Sequence, residues 1–127
     1  MTHIGHINKE KHAAKTLELF NREKDGFVRS ACHSYTAGVS PEQTREALVR
    51  KIKSRMEDVL FEHLKRTVRR EPRKSDVPSQ YRDIEKILPN FQELVDSVLV
   101  EAGKLRMISA FEEATKKAQE EKPQSEQ

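Results

Sequence analysis

Apolar side chains recur along much of this chain at steps of three and four, the spacing that gathers them on one face of an α-helix. Ala13, Leu17 and Phe20 keep this step with Leu19 beside them, and predict a first helix over 9–20. Asn21-Arg22-Glu23-Lys24-Asp25-Gly26 then interrupts the pattern. A polar stretch ending in Asp-Gly suits a sharp turn, because glycine adopts positive φ without steric cost. A short second helix is predicted over 29–36. The next start is clearly marked: Ser40 suits an N-cap, Pro41 the first helical position, and Gln43 completes a Ser-x-x-Gln capping box. Ala47, Leu48, Ile52, Met56, Val59, Leu60, Leu64 and Val68 follow as one stripe, with Glu, Lys and Arg on the other face, predicting a long helix over 41–70.

Pro72 and Pro78 bracket a polar, basic linker that cannot continue that helix. A short helical segment is expected over 80–88, with Ile84, Ile87 and Leu88 on one side. Pro89 and Asn90 restart the chain, Asn90 as N-cap with Glu93 three residues on. The last helix is predicted to about residue 117, with Phe91, Leu94, Val95, Val98, Leu99, Ala102, Leu105, Ile108 and Phe111 as a stripe wide enough for two neighbours. Gly103 inside it marks a kink or a close crossing. The expected fold is all-α, with about five helices in one domain over 9–118, a flexible N-terminus over 1–8 and a disordered tail over 119–127. The stripes of 48–68 and 91–111 are expected to form most of its core.

Composition agrees with helices. Apolar and charged residues each make up 35% of the 127, with four Gly, five Pro and no Trp, too few strand and turn signals for a sandwich, barrel or doubly wound sheet. No apolar run is long enough to span a membrane and no signal peptide is evident, so a cytoplasmic protein is expected. The single Cys32 cannot form an internal disulfide, which fits a reducing compartment. The net charge of +3 hides a split, +7 over 1–82 and −4 over 83–127. Such asymmetry signals either a basic binding face or two faces that attract each other.

The most specific local pattern is Asn21 to Cys32 read as an EF-hand loop. Asn21, Glu23 and Asp25 fall at its first three oxygen positions, Gly26 at the sharp turn and Val28 at the aliphatic position. Position twelve, which needs a bidentate glutamate, is Cys32, and position nine is Arg29, so calcium binding is expected to be weak or absent. Leu17, Leu19 and Phe20 resemble the entering helix of calmodulin-like proteins, and Ser40-Pro41-Glu42 the start of the helix after it. Tyr81 to Pro89 resembles the end of a second degenerate loop, most similar to the EF-hand subunit of the axonemal dynein regulatory complex. Ile108-Ser109-Ala110-Phe111-Glu112 resembles the opening helix of that family's second lobe, which does not follow here. The second loop itself departs from the pattern, with Val77, Ser79 and Arg82 at positions for ligands or an aliphatic residue.

This resemblance implies a non-catalytic interaction subunit that grips an amphipathic helix of a larger axonemal or cytoskeletal assembly without calcium. The candidate groove is Leu17, Phe20, Val28, Leu48, Ile52 and Met56, each also an ordinary core position. The alternative is a basic helical module for nucleic acid or microtubules using Arg66, Arg69, Arg70, Arg73 and Lys74. The same cations also suit a helix C-terminus, and no aromatic among them offers a stacking platform. Phe61 and the second face of the last helix offer surface for self-association. His3, His6 and His12 lack partner ligands at metal-binding spacing, and Cys32 beside His33 does not form a nucleophile–base pair. No phosphate loop, nucleophile elbow or zinc spacing is found, so neither catalysis, a metal, a cofactor nor a small-molecule substrate is expected.

Overall fold

Apolar residues on either side of Asn21–Gly26 decide the architecture. The computed structural model describes residues 8–67 and 73–121, as four α-helices and two 3-10 turns with no strand among the described residues. Helix α1 is Lys9–Thr36, α2 Pro41–Thr67, α3 the single turn Ile84–Ile87, and α4 Phe91–Glu121; the 3-10 turns are Lys74–Asp76 and Ser79–Tyr81. The all-α class holds. The turn expected at Asn21–Gly26 does not, because α1 runs through it without a break and replaces the two short helices expected there.

The physical reason is burial on both flanks. Asn, Asp and Gly within a helix together cost roughly 2 kcal/mol relative to Ala. Leu19 and Phe20 before them, and Phe27, Val28 and Ala31 after them, are all buried. Each large side chain of this kind contributes about 1.5–3 kcal/mol when removed from water. Phe20 and Phe27 stand about two turns apart, so the unbroken helix puts both on one face, where their ring centroids lie 5.7 Å apart. The polar residues between them also find partners: Glu23 pairs with Arg55 of α2, and Lys24 with Glu101 of α4 at 3.3 Å.

Helix α1 ends where Gly38 takes φ +82°, with its N–H donating to the Tyr35 carbonyl at 3.1 Å and that of Val39 to Ser34 at 3.0 Å. Ser40 caps α2 as expected, its Oγ accepting from Gln43 N–H at 3.2 Å. Leu48, Ile52, Met56 and Leu60 carry the α2 stripe into the core. Phe91, Val95, Val98 and Ala102 do the same from α4. Helix α1 packs extensively on both, whereas α2 and α4 touch each other little.

The 73–88 segment closes one end. Val77, Ile84 and Leu88 are buried, while Arg82 ties the segment to α2, donating to Glu57 at 3.0 Å and to the Val77 carbonyl at 2.7 Å. Asp83 caps α3 by accepting from Glu85 N–H at 3.0 Å. His12 of α1 reaches the Tyr81 carbonyl at 2.9 Å and meets the Tyr81 ring edge-on at 5.6 Å. A carbonyl only accepts, so His12 Nε2 carries the proton. Burial lowers the pKa of His12 despite the raising effect of that hydrogen bond. His63 is lowered too, by burial and then by Lys15, His12 and Arg66.

Two outcomes follow from these placements. Gly26 is helical, exposed and has open space where a Cβ would stand, so Gly26→Ala raises stability by about 0.5–1 kcal/mol, whereas Gly38→Ala, at positive φ, lowers it in the same thermal melts. Because the folded pKa of both histidines lies below the unfolded value of 6.5, the unfolded chain takes up protons first on acidification. Stability is full above that value and declines as pH falls below it. Melting followed by circular dichroism from neutral to mildly acidic pH shows this decline, and His12→Gln removes part of it.

Candidate interaction surface

Helix α4 carries two apolar faces. At about 100° per residue, Phe91, Val95, Val98 and Ala102 cluster on the side that enters the core. Val100, Met107, Phe111, Ala114 and Ala118 cluster about 180° away, on a line whose side chains are all exposed. From Gly103 to Gln119 no residue is buried. Val100 is 57% exposed, Met107 73%, Ile108 55% and Phe111 73%. The stripe expected to pack as one core surface from Phe91 to Phe111 is therefore divided. Leu94 and Leu99 pack partly against the core, while Leu105, Ile108 and Phe111 lie outside it. The helix also continues through residues 119–121, where a disordered tail was expected.

Val100, Lys104, Met107, Phe111, Ala114 and Ala118 follow one another at steps of four, three, four, three and four. That alternation is a heptad seam of the kind that packs against another helix. Large exposed apolar patches on a folded chain mark interaction surfaces. Of these positions the predicted apolar stripe includes only Phe111, and the second face of this helix is the surface expected for self-association. The signal for Val100 and Met107 is their place half a turn away from the core line through Ala102.

The other candidate groups lie elsewhere. Phe20, Val28, Leu48, Ile52 and Met56 are buried together in the core, so they form no groove; of that set only Leu17 is partly exposed, at 37%. Asn21, Glu23, Asp25 and Gly26 lie along a helix instead of converging as a loop does, and Val28 and Cys32 face the core. Cys32 is a half-buried free thiol. Among the described residues no group of three or more His, Cys, Asp or Glu is gathered as a metal site, and no helix is long and apolar enough to cross a membrane. His3 and His6 lie outside the described residues.

Three residues of the basic set lie among the described residues. Arg66 is exposed near the end of α2, and Arg73 precedes the first 3-10 turn. Lys74 pairs with Asp58 at 2.6 Å, and that hydrogen bond raises its pKa. Arg69 and Arg70 lie outside the described residues. Arg66 also lines a cleft of about 350 Å³ between α1 and α2 with Lys15, Arg22, Arg55 and His63, but Glu23, Asp58 and Glu62 share its wall. Four permanent cations against three carboxylates make it nearly neutral, with no strong pull on a polyanion. Neither a family model, nor a curated protein, nor a solved structure matches this chain.

The burial of the expected groove residues has a measurable consequence. Ile52→Ala and Met56→Ala each lower the unfolding free energy by about 2–4 kcal/mol, and chemical denaturation reads that loss directly.

Proposed function

We propose that this chain is a non-catalytic protein-interaction subunit that docks on an amphipathic helix through the overhanging half of α4, without calcium. The observation that carries this reading is the exposed seam from Val100 to Ala118, which stands opposite the face α4 uses for its own core. Helix-on-helix recognition through apolar residues at steps of three and four needs no ion and no moving loop. The helix that occupies Asn21–Gly26 leaves calcium no loop to organise. The resemblance of Tyr81 to Pro89 supplies the setting in this proposal, an axonemal or other cytoskeletal assembly.

The alternative, a basic module for nucleic acid or microtubules, has less support. Lys74 is engaged with Asp58, and the cleft that Arg66 lines is balanced by carboxylates.

Capture of partners by the tagged chain in chelator, washed at low or at moderate salt, separates the two readings. An apolar helix contact survives both washes and is lost in the double variant Met107→Glu with Phe111→Glu. A polyanion contact is removed by salt, weakening by orders of magnitude, and is indifferent to those two substitutions. Retention of the same partner by the double variant overturns the reading.

A further inference from the structure

We infer that the helix laid against the α4 seam is the same segment of a second copy of this chain, running antiparallel. This rests on reading the seam as the interaction surface, and it names the occupant. Three observations select it.

The first is the order of side-chain sizes. The seam runs Val100, Lys104, Met107, Phe111, Ala114, Ala118, large residues toward the body and small ones toward the far end. Antiparallel pairing about a twofold axis at Ser109 sets Val100 against Ala118 of the other copy, Lys104 against Ala114, and Met107 against Phe111. Each large side chain then meets a smaller one at the ends, and the two bulkiest residues share the centre. Interdigitation of this kind fills the interhelical space without voids. A parallel pair would instead stack Phe111 on Phe111 and Ala on Ala, leaving gaps around the alanines.

The second is charge. Lys104 is the only ionised position on this line. A parallel pair brings the two Lys104 ammonium groups together inside the seam, a like-charge contact that disfavours it. In the antiparallel pair they lie near opposite ends of the contact, and each aliphatic stem crosses Ala114 while its ammonium reaches water.

The third is extent. The seam from Val100 to Ala118 is about 27 Å long at 1.5 Å per residue. Two such faces, with Ile108 of each copy meeting its equivalent on one flank, bury on the order of 1,000–1,400 Å² in total, at the lower end of what specific interfaces use. The flank on the other side is Gly103 and Ala110, small enough for the helices to approach closely.

Sedimentation equilibrium of the full chain, over about two decades of concentration, tests the association. The expected result is a mass rising from 14.7 kDa to twice that value, with Met107→Glu plus Phe111→Glu holding at the single-chain mass and an unchanged helical spectrum. Direction is read by cysteine pairing in a Cys32→Ser background. Val100→Cys and Ala118→Cys chains, when mixed, form a disulfide-linked pair, and each alone forms none. A single-chain mass at every concentration overturns the second copy as occupant, as does self-linking by Ala118→Cys alone, which marks a parallel pair. If the single-chain species still captures a foreign helical partner that the double variant loses, the interaction reading stands and only its occupant is wrong. If that capture is also unaffected by the double variant, the interaction reading fails as well.

Discussion

Continuity of α1 is the constraint on which the rest of the structure depends. Helices α2 and α4 touch each other little, and each packs mainly on α1. A break anywhere near Phe20 or Phe27 would therefore separate the two halves of the core at once. The apolar contacts do most of this work, since the partly exposed ion pairs Lys24–Glu101 and Arg55–Glu23 each contribute little. Their role is to let charged side chains cross from one helix to the next without burying an unpaired group. The 73–88 segment then needs only to cover the open end, which it does with Val77, Ile84 and Leu88.

Much of this was legible in the sequence, and the part that was not has a physical cause. The long helix from Pro41, its Ser40 cap, the break after it and the restart after Asn90 follow from local chemistry, and local chemistry decides them. At Asn21–Gly26 local chemistry pointed the wrong way. Turn-forming residues describe what a short peptide prefers, and tertiary burial on both flanks overrides that preference. The phase of the pattern held the better signal. Phe27 and Ala31 sit where an unbroken helix carries the line from Thr16 and Phe20, whereas residues beyond a real loop have no reason to keep that phase.

The candidate surface was half legible for a related reason. Periodicity finds apolar faces but does not say whether the neighbour is in the same chain. The second face of the last helix was legible as surface, but Met107 and Val100 were not singled out on it because the core line and the seam overlap in sequence while diverging around the helix. The expected groove failed in the opposite sense, because its residues are good enough hydrophobes to have been claimed by the core already. With them gone from the surface, the far half of α4 offers a large apolar area to another molecule among the described residues.

That α4 is a single continuous helix serving two directions limits how the chain can change in length. A residue inserted between Ala102 and Met107 would turn everything beyond it by about 100° and leave the core untouched. Met107, Phe111, Ala114 and Ala118 would then turn away from Val100, so the contact would be broken as well as re-aimed. Lengthening by about seven residues restores the alignment and moves the outer part of the contact outward by about 10 Å. Gly103 to Ser109 thus acts as a gauge that sets both the reach and the heading of whatever this helix holds.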